Sequence, residues 1–222
     1  DALGGIINFI TKIPRRETPE ITSVISYSSL DAVDVAGFYG QRFSRAGFSL
    51  HATYDNSPRR DIDGDAFADI PLQRRYNINP RLVYEISDRA QLTLATNITG
   101  EDRLGGQMAG AEDFTHGSIA PYSTALVTRR ADGTGSLSVK INESNSLSAN
   151  AAYAQTRRNS YQQTVPFDGT ERIAYGDASW SGKFDQLQML LGLSELSQQF
   201  GESSRDSTIP GGDRSFSYNT MS

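Results

Sequence analysis

The sequence predicts an all-β chain, a length of antiparallel up-and-down transmembrane β-barrel carrying about nine strands, and three observations lead there. Hydrophobicity repeats at period two rather than at the helical period of about 3.6, short and long connections alternate, and no amphipathic helix interrupts the series. Ser, Gly and Thr are frequent and Tyr and Phe number 10 each, a composition that suits strands and turns.

Taken in order, Ile21 to Ser29 and Val35 to Phe43 are weakly patterned and read as strands from context. Phe48 to Asp55 is clearest: Phe48, Leu50, Ala52 and Tyr54 alternate with Ser49, His51, Thr53 and Asp55, giving one greasy and one wet face. In Tyr76 to Ile86 the apolar set Tyr76, Ile78, Pro80, Leu82, Tyr84 and Ile86 opposes Asn77, Asn79, Arg81 and Glu85, and Val83 breaks the polar side. Ala90, Leu92, Leu94 and Ile98 then oppose Gln91, Thr93, Asn97, Thr99 and Glu101. A long strand over Tyr122 to Asn142, then Leu147 to Tyr153, Ile173 to Lys183 and Leu187 to Leu193 continue the rhythm, and the chain stops in what reads as a starting strand.

Ser44 to Gly47, Ser87 to Arg89, Glu143 to Asn145 and Phe184 to Asp185 read as tight turns. Between them Ser57 to Arg75, Arg103 to Pro121, Val165 to Gly169 and Gly201 to Ser215 read as longer loops, and only Leu30 to Asp34 is short on that side. Tight turns on one rim and long loops on the other mark an outer-membrane barrel. A soluble antiparallel sandwich alternates in the same way and is the competing fold. No apolar run reaches the ~18 residues of a membrane helix. The negative mean hydropathy is no objection to a barrel, in which only every second residue meets lipid.

The residue inventory excludes several classes. There is no cysteine, so thiol chemistry and disulfides are absent, and the two histidines, His51 and His116, form no cluster. A net charge of −5 gives no footprint for nucleic acid. No nucleophile, phosphate loop or paired-carboxylate pattern suggests catalysis, and no cofactor is expected. Asp61, Asp63, Asp65 and Asp69, with Gly64 among them, offer oxygens at alternating positions that could hold calcium. Their order is not that of an EF-hand, and a solvated acidic loop is the reading preferred. Arg59, Arg60, Arg74, Arg75, Arg157 and Arg158 could meet an anionic ligand, or pair with aspartates or lipopolysaccharide phosphates, and the second role is preferred. Asn77, Asn79, Arg81, Glu85, Asn97 and Glu101 would line the barrel lumen.

The opening run DALGGIINFITKIP, Asp1 to Pro14, carries the most specific signal. Paired glycines precede a strand that Ile6, Ile7 and Ile10 can anchor in a compact domain, and Pro14 ends its pairing. Asp1, Ala2, Gly4, Gly5, Asn8, Thr11, Lys12 and Pro14 match the motif that closes the plug domain of TonB-dependent outer-membrane receptors, and the chain resembles that family. Phe9 stands where a small aliphatic residue is usual. The resemblance extends more loosely to Arg59 to Pro71 and Glu101 to Gly106. It implies the end of a plug over residues 1–14 and the start of a barrel of about 22 strands over 15–222. Both chain ends are expected to continue, since the chain opens at Asp1 without a leader. It further implies active uptake of a scarce nutrient such as a siderophore-bound metal or cobalamin, outer-membrane lipid and lipopolysaccharide as surroundings, and TonB as energy-coupling partner through a segment upstream. A passive porin or adhesin barrel, and a soluble β-sandwich binding module, are the alternatives.

Overall fold

The computed structural model describes residues 18–109, 122–162, 165–204 and 213–221. They form ten strands: β1 (Glu20–Tyr27), β2 (Val33–Phe43), β3 (Ala46–Ser57), β4 (Phe67–Ser87), β5 (Ala90–Gln107), β6 (Ser123–Lys140), β7 (Asn145–Gln162), β8 (Val165–Phe184), β9 (Leu187–Ser204) and β10 (Asp213–Met221). Each pairs antiparallel with its sequence neighbours in a single sheet ordered β1 to β10, and β1 does not pair with β10. A sandwich needs a second sheet, so that alternative fails: the fold is a length of up-and-down barrel wall.

Ten strands rather than about nine are present because Asp213–Met221 pairs with β9 along its whole length. Three of the expected loops are shorter than the alternation suggests: β4 begins at Phe67, β5 runs to Gln107, and β9 runs to Ser204. The fourth, Val165 to Gly169, is strand, with β7 and β8 paired up to Gln162↔Val165. Ladder hydrogen bonds need no apolar side chain, so strands of 18 to 21 residues outrun the ~9–11 that cross hydrocarbon. The expected tight turns are all present, and the neighbouring hairpin holds them: Arg45, Arg89 and Ser144 each accept, at the carbonyl, an amide N–H from Glu85, Lys140 and Lys183.

Directly opposed residues share a face. One face joins Leu50, Ala52 and Tyr54 to Pro80, Ile78 and Tyr76. It continues through Ile78↔Ile98 and Leu82↔Leu94 to Leu94↔Gly135 and Gly135↔Ala151. On it Ile78 is 39 %, Leu94 43 % and Leu193 61 % exposed, while the buried hydrophobic residues among those described are only Leu72, Val83, Leu104 and Ala125. A water-soluble domain of this size would bury far more.

The apolar band also shows how the strands lean. Leu50, mid-band on β3, lies level across the register with Tyr153, Ala174 and Ser197, the register of β4 and β5 carrying on either side of the gap at Pro80. The apolar run of β9, Leu187 to Leu193, is centred about seven residues below Ser197. That offset, ~23 Å along the strands against ~29 Å across six strand spacings, keeps the band level only if the strands tilt by ~40°. A membrane barrel has this inclination.

Candidate functional site

The opposite face is polar, and its side chains join across strands. Asn77 and Asn79 stand two apart on β4, and both reach Asn97 on β5, whose Oδ1 accepts from their Nδ2 atoms at 2.5 and 2.7 Å. Asn77 also donates to Thr99 Oγ1 at 2.7 Å. Asn97 Nδ2 donates in turn to Asp132 Oδ1 on β6 at 3.1 Å, where Arg130 Nε also donates at 2.9 Å. Arg130 continues the chain to Thr156 Oγ1 on β7 at 3.3 Å. The same face carries Ser148 with Ser179 at 2.7 Å, Asn150 donating to Asp177 at 3.0 Å, and Gln198 donating to Glu171 at 2.7 Å.

Pro80 sets the form of this face. It has no N–H for the ladder, and pairing between β4 and β5 passes from Ile78↔Ile98 to Arg81↔Ala95 without a pair at Asn79 or Pro80. A recess of about 700 Å³ opens there, lined by Phe38, His51, Asn79, Arg81, Asn97 and Asp132 among others. It combines hydrogen-bonding amides, a guanidinium, a carboxylate and two rings. Such a surface can hold a polar segment or ligand by hydrogen bonds.

Of the residues the sequence marks for this face, Asn77, Asn79 and Asn97 meet directly, and Arg81 borders the recess beside them. Glu85 lies nearer the tight-turn rim, ion-paired with Arg42, whose side chain is 10 % exposed. Glu101 opposes Arg75 and Thr128 higher on the sheet. Sequence reading misses Asp132, Arg130 and Arg42, because only strand register shows that they adjoin the marked residues.

The six arginines marked in the sequence do not gather at one place. Neighbours in a strand point to opposite faces, so Arg74 is on the apolar side and Arg75 on the polar side, where Arg75 Nε reaches Asp55 at 2.9 Å. Arg157 and Arg158 divide likewise. Arg59 is buried and donates to the Gln107 carbonyl at 3.2 Å, and Arg60 is ion-paired with Asp31 of the preceding loop.

In the loop between β3 and β4, carboxylate oxygens of Asp61, Asp63 and Asp65 lie within 4.8 Å of one another. These oxygens accept backbone amides: Asp61 from Gly64 at 2.7 Å and Ala66 at 2.9 Å, Asp63 from Asp65 at 3.2 Å, and Asp65 from Phe67 at 2.8 Å. Asp69 accepts the Ile62 amide at 2.7 Å. The carboxylates thus serve the bends of the loop, in which Gly64 takes φ 81° and Ala66 φ 68°. The Asp65 amide favours the ionised form of Asp63, but repulsion from Asp65, slight desolvation and the charges of Asp69 and Asp61 outweigh it, and the Asp63 carboxyl rises above its ordinary value. The plug-like motif, Asp1, Ala2, Gly4, Gly5, Asn8, Thr11, Lys12 and Pro14, lies outside the described residues.

By sequence, no family model and no curated protein matches the chain. By structure it is similar to the siderophore receptor PiuA from Acinetobacter baumannii, at TM-score 0.66 and 10 % identity, over 95 % of this chain and 39 % of that one. It is likewise similar to the ferric-catecholate import receptor Fiu from E. coli K12, at TM-score 0.65 and 12 % identity, over 99 % and 41 % of the two chains. The chain therefore spans about two fifths of the length of the receptors it matches, and what it shares with them is the fold of their β-barrel wall.

Proposed function

We propose that this chain is part of a TonB-dependent outer-membrane transporter that takes up a small metal chelate of the siderophore class. Residues 1–14 would end its plug and residues 15–222 would begin its barrel. The exposed apolar face carries the reading: on a single sheet, no described residue covers Ile78, Leu94, Leu191 and Leu193, and a bilayer is the environment that would. The names of the two similar receptors support the ligand class, and the Asp1 to Pro14 motif supports the coupling to TonB through a segment upstream.

In this reading the polar face is the lumen wall. Asn77, Asn79, Arg81, Glu85, Asn97 and Glu101 would hydrogen-bond the plug or, near the recess, a passing ligand. The chain carries no catalytic role. Uptake of a radiolabelled ferric siderophore by cells expressing the complete gene tests the reading. Uptake that stops when the proton gradient is collapsed supports it, and gradient-independent leakage of small solutes would replace it with a passive pore.

A further inference from the structure

Immediately above the apolar band on the outward face, the first charged residue of each strand from β4 to β8 is Arg74, Asp102, Arg129, Arg157 and Arg172. One carboxylate stands among four guanidinium groups. Arg129 and Arg157 are directly opposed across β6 and β7, a juxtaposition of like charges that costs stability unless an anion relieves it. Asp102, which stands directly opposite Arg74 across β4 and β5, lies 2.6 Å from Arg129 Nη1. Arg157 has the neutral Gln155 beside it, whose oxygen meets Arg157 Nε at 2.9 Å when the amide is turned toward it.

Below the two arginines lies a groove of about 550 Å³. Tyr76 and Ile98 form one wall, Tyr153 the other, and Gly133 lies in its floor. Nothing closer than 3.8 Å would meet a Cβ at Gly133, so the floor is open. Tyr76 is held in place by Gly100, over which its ring lies so closely that a Cβ there would stand 2.3 Å from the ring. A slot of apolar and aromatic walls closed at its upper end by two guanidinium groups fits an amphiphile with an anionic head.

We propose that this outward groove binds a phosphate-bearing acyl lipid of the outer leaflet, with its phosphate between Arg129 and Arg157 and one acyl chain between Tyr76 and Tyr153. The inference rests on the outer-membrane reading above. Charge complementarity selects phosphate, which two guanidinium groups can chelate, and the position at the upper edge of the apolar band selects a lipid headgroup over a soluble anion.

The test uses the full-length protein, reconstituted in phosphatidylcholine vesicles doped with a phosphorylated, acylated diglucosamine lipid or with its dephosphorylated form. Lipid retained per protein is counted by mass spectrometry. Wild type is expected to retain the phosphorylated lipid about tenfold better than the dephosphorylated one, and Arg129→Gln with Arg157→Gln to abolish the difference. Gly133→Leu, which fills the slot and leaves the charges, is expected to reduce retention of both lipids. Equal retention by wild type and the arginine variant overturns the site, as does competition by free inorganic phosphate that leaves the acyl slot without effect. A nitroxide at Leu94 separates the two levels of inference: if lipid-dissolved oxygen fails to reach it, the membrane reading itself falls.

Discussion

Asp132 holds the polar face together at one atom, since its Oδ1 accepts from both Asn97 and Arg130. Its replacement by Ala leaves an amide and a guanidinium without that acceptor, and in the assembled protein should cost about 1–3 kcal/mol, measured as a shift in the unfolding midpoint. Leu94 is the counterpart on the other face. Leu94→Arg, near the middle of the apolar band, should destabilise by about 2–4 kcal/mol in a bilayer. The same change in a face bathed by water would cost almost nothing, so a small value would refute membrane burial. In the acidic loop, removing the negative charge of its strongest repelling neighbour by Asp65→Asn should bring the Asp63 carboxyl down toward its ordinary value, as read by carbon NMR of the side chain. The sign for stability follows. A carboxyl raised on folding favours the folded loop below its unfolded value, and that contribution is lost as pH rises through the raised one. Since these carboxylates already accept backbone amides, calcium should bind weakly or not at all, and a stoichiometric calorimetric site abolished by Asp63→Ala would reverse that view.

At the scale of elements, aromatic side chains protect the ladder where glycine leaves it bare. The Tyr76 ring lies over Gly100, and the Trp180 ring lies over Gly182 within 2.4 Å of a would-be Cβ while contacting Phe184 at 6.0 Å between centroids. Tyr76 stands at the upper edge of the apolar band and Trp180 near the lower, where rings anchor a barrel in the interface. Gly100→Ala should therefore destabilise wild type by displacing the Tyr76 ring and do much less in a Tyr76→Ala background. Additive effects in that double-mutant cycle would show that ring and glycine do not cooperate.

For the whole molecule, the open edges decide behaviour. β1 and β10 do not pair with each other, and the free edge at the end of the chain is made of β10 together with Leu187 to Ser194 of β9, because β10 covers only Glu195 to Ser203 of the expected Gln186 to Phe200 edge. Edge residues Ile21, Ile25 and Met221 are each more than 70 % exposed. Expressed alone, residues 1–222 should neither conduct ions nor transport, and should aggregate through these edges when detergent is withheld. A stable monomer that unfolds cooperatively in water would mean that the strands had closed upon themselves.

Sequence alone determined the β class, the four tight turns and the assignment of side chains to faces, because a period of two is a local property of the extended backbone. Leu50, Leu82 and Leu94 on one face and Asn77, Asn79 and Asn97 on the other follow from parity within each strand. Tertiary structure decided what parity cannot. Where strands end was one such matter, since the polar stretch from Val165 keeps its ladder in water without any apolar signal. Register was the other. Asp132 lies 35 positions from Asn97 in sequence yet bonds to it, and Arg129 meets Arg157 across β6 and β7, only because hydrogen bonding between strands fixes which residues stand side by side. The band's tilt and the grouping of four arginines above it follow from that same pairing, which no single strand encodes.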